Sequence, residues 1–226
     1  MAKKEIQSAR TSLEEVNDTL SSWEQKVEGN KKIIYYAGGA IVAVALIVMA
    51  YIYLWRIPQS DAAKEDISKA DMELFQGQDS LALKDYKKVA SDYSNKPANR
   101  ANLNAAILLY QNGKYQEAVK YLNDFDAEGA LVGPASQSLL GDCYVNLKQY
   151  DDAIKAFDKA ISLAGDNVNY TPLFLMKKAT VLHELKKYAD EAAAYQTIKD
   201  KYPQFMQTYG VNVDKYIERA NALAGK

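Results

Sequence analysis

Two residues of this sequence could form a nucleophilic catalytic pair: its single cysteine, Cys143, and its single histidine, His183. A thiol becomes a strong nucleophile when a neighbouring base removes its proton, so the two side chains would have to lie within hydrogen-bonding reach. They belong to different units of the repeat described below, and Cys143 occupies a position where a small buried residue is expected. Because buried thiols are usually inert, we expect no catalysis from this pair.

Motifs for other reactions are absent from the sequence. There is no phosphate-binding glycine loop, no His-Glu-x-x-His zinc motif and no nucleophile elbow. A single cysteine excludes an internal disulfide framework and a cysteine-rich zinc site. The formal net charge of -1 gives no field that would attract nucleic acid. We therefore expect no enzyme activity, no metal, no cofactor and no nucleic-acid partner.

The elements that carry Cys143 and His183 follow a pattern of small and aromatic residues, clearest between residues 134 and 167. The residues of this pattern are Leu140, Gly141, Tyr144, Tyr150, Ala153, Phe157 and Ala160. We expect Gly141 and Ala153 to be small because two helices cross there, and Tyr144 and Phe157 to fill the space between one helix pair and the next. This unit resembles the tetratricopeptide-repeat family, which implies an all-α, right-handed solenoid of helix pairs.

The same frame, with a period of about 34 residues, fits four units along the chain. They span residues 63–96, 99–132, 134–167 and 172–205, and a cap helix over about 207–224 is expected to cover the end of the stack. The first unit is the weakest match, with Ala70, Ala82, Tyr86 and Val89 in the frame. The last unit departs from the pattern because Glu191 stands where a small residue belongs, which predicts a local shift near Ala192.

Stacked helix pairs present a concave face, lined by the first helix of each pair, where peptides or partner helices bind. The candidate groove residues are Leu74, Phe75, Leu103, Ile107, Tyr110, Asp142, Val145, Asn146, Met176, Thr180 and His183. The alternative is that many of them pack against neighbouring helices or loops. Tetratricopeptide domains that grip chaperone C-terminal carboxylates use Lys, Asn and Arg at fixed groove positions. This chain has Leu103, Ser138 and Met176 at the first-helix positions, so that ligand is not expected.

An uncharged stretch from Ile33 to Trp55 precedes the repeats. As a helix it would be about 35 Å long, enough to cross the hydrocarbon core of a bilayer. Aromatic residues lie near both of its ends, as they do at membrane interfaces. A cleaved signal peptide is the alternative, but a long segment precedes the stretch and no cleavage site follows it. We expect a transmembrane anchor over 33–55, followed by a linker over 56–62 because Pro58 discourages further helix.

The orientation of this anchor depends on the flanking Lys and Arg residues. Close to the two ends their numbers are equal, but the whole N-terminal segment adds Lys3, Lys4 and Arg10. This excess favours a cytoplasmic N-terminus and an exported repeat domain.

The N-terminal segment, residues 1–32, has apolar residues alternately three and four positions apart, the heptad pattern of a coiled coil. Its seam is formed by Ile6, Leu13, Val16, Leu20, Trp23 and Val27, with Ala9 in register. This predicts a helix that pairs with a second copy or with a partner's helix. The alternative is an amphipathic helix on the membrane surface, which the acidic polar face disfavours.

The order of these segments sharpens the functional expectation. A short N-terminal segment, one span and a repeat domain of this size resemble the bacterial ancillary subunit of the Sec translocon, whose repeat domain is exported. The resemblance implies an inner-membrane scaffold of the periplasmic chaperone network that binds translocon subunits, chaperones or exported chains. Two alternatives stay open: an envelope-assembly or cell-division adaptor dimerised through the N-terminal heptads, and a receptor with its repeats in the cytosol.

Overall fold

The computed structural model describes residues 30–127 and 129–225. The chain divides into two compact units, Met1–Gln59 and Ser60–Lys226. Every regular element among the described residues is a helix, which confirms the predicted all-α fold class. The predicted heptad helix and its seam lie before residue 30, outside the described residues.

The first unit contains helix α1, Lys31–Tyr51, which is followed by a π-helical turn, Ile52–Arg56. α1 belongs to the one helical stretch among the described residues that is long and apolar enough to cross a membrane. The side chains of α1 are exposed along its whole length, so no protein core accounts for its apolar composition.

The prediction that Pro58 ends the helical structure is wrong. Helix α2 begins at Ile57 and continues to Phe75, so the predicted linker, 56–62, is largely helical. Pro58 lies inside a run of helical residues, because the π-helical turn Ile52–Arg56 leads directly into α2, and proline there removes one N–H from the hydrogen-bond ladder. In the π-helical turn just before Pro58, each N–H bonds to the carbonyl five residues earlier instead of four. A turn of this kind accommodates the hydrogen bond that the proline cannot make. The boundary between the two units nevertheless falls inside the predicted linker, after Gln59.

The second unit is a succession of helix pairs. After α2 its helices are α3 (Asp79–Asp92), α4 (Lys96–Gln111), α5 (Tyr115–Asn123), α6 (Val132–Asn146), α7 (Tyr150–Ala164), α8 (Tyr170–Glu184), α9 (Tyr188–Lys201), α10 (Pro203–Tyr209) and α11 (Val213–Leu223). The pairs α2/α3, α4/α5, α6/α7 and α8/α9 overlap the four predicted units, but each first helix begins about two to six residues before its unit does. We call them repeats 1 to 4, and the first and second helix of each pair its A helix and B helix.

The turn between the A and B helix has the same backbone geometry in all four repeats. One residue of each turn has a positive φ: Gly77 at 74°, Gly113 at 70°, Lys148 at 60° and Lys186 at 57°. Glycine adopts this left-handed conformation freely, whereas a residue with a Cβ atom does so at a cost of about 1–2 kcal/mol. The helices packed on either side therefore impose this geometry on the two lysines.

The core of repeat 3 depends on one glycine. A Cβ atom added to Gly141 of α6 would lie 2.5 Å from Cε1 of Phe157 in α7. The Phe157 ring is only 1% exposed, so it has little room to move. Of the residues in the repeat pattern, the buried ones are Leu140, Gly141, Ala153, Phe157 and Ala160, and the half-buried ones are Tyr144 and Tyr150.

Repeat 4 contains no local shift at Ala192, and that prediction is wrong. Glu191 itself occupies the position of the small residue and is completely buried, while Tyr195 and Ile198 follow it into the core in register. The frame holds because the buried carboxylate pairs with the guanidinium group of Arg219 and with the His183 ring, which offset the cost of removing it from water.

The stack ends in two helices where one cap helix is predicted. The short α10 follows α9 directly, and Gly210 ends it with a φ of 64°. α11 then packs against α9, with Val213 and Ala220 buried. The ring of Tyr216 stacks on that of Tyr195, with centroids 5.0 Å apart.

Candidate functional site

The A helices of successive repeats lie side by side, so their outward side chains form one surface. Lys177 of α8 donates hydrogen bonds to Oδ2 of Asp142 in α6, at 2.5 Å, and to Oγ of Ser138, at 3.1 Å. Asp142 also faces Tyr110 of α4, whose pKa is raised first by burial and then by the Asp142 charge. We call the surface that carries the candidate groove residues of these helices the A-helix surface.

In repeats 1 and 2 the candidate groove residues differ in exposure. Phe75 is 88% exposed, and Leu74 and Ile107 are each 36% exposed. Leu103 and Tyr110 are half-buried and pack against the core of the first repeats. Phe75, Leu74 and Ile107 are therefore available to a partner. Leu103 and Tyr110 mainly support the helix packing.

In repeats 3 and 4 the A-helix surface is more polar. Burial raises the pKa of Asp142, and the ammonium group of Lys177 partly opposes the rise. Asn146 and Thr180 are exposed, but each side chain donates a hydrogen bond to a carbonyl one turn earlier in its own helix. Val145 is half-buried against the core of repeat 3. The polar groups of this part are thus already paired within the fold.

His183 takes part in packing between helices. Its Nδ1 lies 2.8 Å from Oε2 of Glu191, whose other oxygen, Oε1, accepts a hydrogen bond from Nη2 of Arg219 at 2.5 Å. Arg219 also lies over the ring of Tyr216, 5.4 Å from its centroid. The buried carboxylate thereby joins α8, α9 and the cap helix α11, and His183 is only half exposed to a partner.

The structure offers no support for a thiol–imidazole pair. Cys143 lies in the core formed by repeats 1 to 3, whereas His183 packs against Tyr188 of α9. Burial raises the pKa of the Cys143 thiol to about 12, so the thiol stays protonated at neutral pH. Within residues 30–127 and 129–225, no group of three or more His, Cys, Asp and Glu side chains could hold a metal ion.

An apolar pocket of about 410 Å³ lies where α8 meets α10. Its lining residues are Asn169, Tyr170, Leu173, Met176, Phe205, Tyr209 and Val211. Phe205 is 6% exposed, whereas Tyr170, Leu173 and Tyr209 are 38%, 41% and 58% exposed. Spacings of three or four residues place Tyr170, Leu173, Met176, Thr180 and His183 on one face of α8. The pocket is therefore continuous with the A-helix surface.

Of the pocket residues, only Met176 is among the predicted groove residues. The others lie at or just before the start of α8, or in α10 and the turn after it, and the sequence analysis names no groove residue there. A sequence signal was nevertheless present. Residues 167–176 and 203–213 contain no charged residue, in a chain in which 25% of the residues are charged. Charge depletion of this kind is typical of the cores of protein interfaces.

Comparisons with known proteins identify the repeats. A family model described as tetratricopeptide repeat matches residues 134–167, and a second model of the same description matches residues 68–131. The crystal structure of MamA protein is similar, with a TM-score of 0.59 and 19% identity over 74% of this chain and 84% of that chain. The nearly identical TPR-like repeats of a Podosopora anserina putative kinesin light chain give a TM-score of 0.52 and 14% identity, over 72% and 86%.

A search of curated proteins finds no match. At these identities the structural similarity speaks for the fold alone. The two family matches show tetratricopeptide repeats over residues 68–131 and 134–167.

Proposed function

We propose that this tetratricopeptide-repeat protein is a membrane-anchored scaffold that binds other proteins through its A-helix surface. Tetratricopeptide domains are interaction modules, and they bind extended peptides or helices along the helices that line the groove. The observation that carries the proposal is that this surface is continuous over several repeats and has exposed apolar side chains at both ends. Phe75, Leu74 and Ile107 lie at one end, and the pocket that includes Leu173 lies at the other.

Photocrosslinking in living cells tests the use of this surface. Crosslinkers at Phe75, Ile107 and Thr180 should capture partner proteins, because these side chains are exposed on A helices. Ser162, exposed on the B helix α7, is the matched control and should capture few or none. The same captured proteins at all four positions would show that the A helices have no special part in binding.

The membrane anchor is supported by α1, whose apolar side chains are all exposed. An exposed apolar helix of 21 residues is stable in a bilayer and costly in water. We propose a single pass through the bacterial inner membrane, with the N-terminus in the cytoplasm and the repeats in the periplasm. Reporters fused after Lys226 test this orientation. Activity of a periplasm-dependent reporter supports it, and activity of a cytosol-dependent reporter alone would support a receptor with cytosolic repeats.

As to partners, we propose translocon subunits, periplasmic chaperones or exported chains, as an ancillary component of the Sec translocon. The support is the order of segments: a short N-terminal segment, an apolar helix and then tetratricopeptide repeats. Purification of the full chain in mild detergent, followed by identification of the bound proteins, tests this assignment. Recovery of neither a channel subunit nor a chaperone would count against it and leave the scaffold function in place.

The heptad spacing of the N-terminal segment favours a second candidate, an envelope-assembly or cell-division adaptor that forms a homodimer. In that case deletion of residues 5–28 should abolish self-association of the full chain in detergent. An unchanged oligomeric state would exclude the dimer through these heptads.

A further inference from the structure

The pocket between α8 and α10 has walls of a distinct chemical kind. Tyr170, Phe205 and Tyr209 contribute aromatic rings, and those of Phe205 and Tyr209 lie 4.7 Å apart, tilted by 41°. Leu173, Met176 and Val211 contribute aliphatic surface. Aromatic rings prefer offset or edge-to-face neighbours, and one ring buries about 150–250 Å² of surface. A pocket of about 410 Å³ lies within the range of small-ligand sites, about 300–1,000 Å³, and so can take one such side chain.

The absence of charged residues at the pocket restricts the kind of segment that can bind there. None of its lining residues is charged, and the two segments that form it, 167–176 and 203–213, have no charged residue at all. A charged occupant would lose its hydration and gain no ionic partner, which is costly. The occupant that complements this surface is therefore an uncharged, apolar segment.

One polar side chain stands at the pocket. Asn169 is exposed, and its backbone N–H donates a hydrogen bond to Oδ1 of Asn167. Its side-chain amide makes no hydrogen bond within the described residues. An amide offers both donors and an acceptor. It can therefore pair with the backbone of a bound segment, or with the N–H or O–H of a Trp or Tyr side chain.

We propose that this pocket is the anchor site for a single aromatic side chain, Trp above all, in an uncharged segment of a partner protein. Buried aromatic anchors in such pockets carry much of the binding energy of protein interfaces. One wall of the site comes from α10 and the turn after it, which lie outside the four helix pairs, so this site depends on more than the repeat fold. The proposal rests on the proposed scaffold function and names the chemistry of its partner.

The test uses the full chain in lipid nanodiscs, with methyl-labelled methionine observed by NMR. The probe is a blocked hexapeptide, acetyl-Gly-Ser-Trp-Leu-Ser-Gly-amide, with matched peptides in which Leu or Asp replaces Trp. The Trp peptide should shift the Met176 methyl signal in a saturable way. The signal of Met72, which is 57% exposed on α2, should not move. The Leu peptide should bind about tenfold more weakly than the Trp peptide, and the Asp peptide should not bind.

Matched variants locate the binding. Leu173→Glu should weaken the Trp peptide at least about tenfold, while Leu81→Glu should leave it unchanged. Both leucines are 41% exposed, so the two substitutions differ in place and not in burial. Tyr209→Ser, at a side chain 58% exposed, gives a second pocket variant, and a thermal melt of each variant confirms that it folds.

Three results would overturn the proposal. They are equal binding of the Trp and Leu peptides, no effect of either pocket variant, and lipid acyl contacts to the Met176 methyl group without peptide. The scaffold function stands in each of these cases if crosslinkers at Ile107 and Thr180 capture partner proteins in cells. If those two positions capture no protein while the Trp peptide binds the pocket, the scaffold function is overturned instead.

Discussion

Gly141 and the ring of Phe157 show how single residues fix the distance between two helices. Alanine inside a helix is usually favoured over glycine by about 1 kcal/mol. Here its Cβ would enter the space of a buried ring, and overpacking costs about 1–3 kcal/mol. We expect Gly141→Ala to lower the free energy of unfolding by about 1 kcal/mol in chemical denaturation.

The control for this change is Ser162→Ala, on the exposed side of α7, which should stay within about 0.5 kcal/mol. Adding Phe157→Leu to Gly141→Ala should make room for the new methyl group, so the two losses should not add. Additive losses would show that the ring does not restrict this glycine.

Glu191 and Arg219 form an ion pair in which the partly exposed arginine stabilises the buried carboxylate. Arg219 has a side-chain exposure of 45%, whereas the Glu191 side chain is fully buried. Arg219→Met should cost about 2–3 kcal/mol, because it leaves a buried carboxylate with only His183 beside it. Urea denaturation measured on the variant and the parent protein gives the difference.

Arg100→Met is the matched control, because Arg100 pairs with Asp71 at 2.6 Å and both of those side chains are substantially exposed. Its cost should be below about 1 kcal/mol. Replacing Glu191 by Met together with Arg219→Met should recover most of the loss, since no buried charge then remains. Equal costs for Arg219→Met and Arg100→Met would contradict the importance of burial.

The sequence marks Glu191 as an irregularity in the repeat pattern, but it does not predict the His183 and Arg219 side chains that pair with the buried carboxylate. The repeat frame shows that a glutamate stands at a small-residue position. Its partners come from α8 and α11, and Arg219 lies far along the chain in the cap. Pairing of that kind depends on tertiary packing, which the local pattern does not contain.

Among the elements, the cap helix α11 protects the last repeat from water. It covers α9 through Val213, Ala220 and the stacked ring of Tyr216. Removal of residues 211–226 should expose Tyr195 and leave Glu191 without Arg219. We expect a lower melting temperature and binding of an apolar dye, because terminal repeats need a covering helix.

Removal of residues 224–226 is the control, because α11 ends at Leu223 and stays complete. This shorter chain should melt at the temperature of the parent protein. Identical behaviour of the two truncations would falsify the covering function of α11.

The elements also differ in how far the sequence predicts them. The helix pairs follow from the spacing of small and aromatic residues, which directly reflects how the helices cross. α10 has seven residues and no repeating apolar pattern of its own, so it is merged with the cap in the sequence prediction. The pocket is missed for the same reason, since three of its seven lining residues come from α10 and the turn that follows.

For the whole molecule, the division into two units predicts that the repeats fold without the first unit. A chain of residues 60–226 should give a helical circular dichroism spectrum and a cooperative thermal transition in buffer without detergent. It should remain in the supernatant after ultracentrifugation, whereas the full chain should sediment with membranes and require detergent for extraction.

The control for the anchor is the full chain with Val44→Asp and Ile47→Asp in the middle of α1. Each charge at the centre of a span costs about 2.5–3.5 kcal/mol on insertion. These changes should therefore release the protein from the membrane fraction or prevent its insertion. Membrane retention of the 60–226 chain would show that α1 is not the anchor.

The four A–B turns bear on the order in which the molecule folds. Gly77 and Gly113 reach the left-handed geometry freely in the unfolded chain, whereas Lys148 and Lys186 reach it there at a cost of about 1–2 kcal/mol, which the flanking helices offset once they pack. Repeats 1 and 2 can thus close their turns early, and repeats 3 and 4 close theirs on an existing surface. We expect pulse-labelling hydrogen exchange to protect α3 to α5 before α7 to α9, which would make folding follow the direction of synthesis; the reverse order would contradict it.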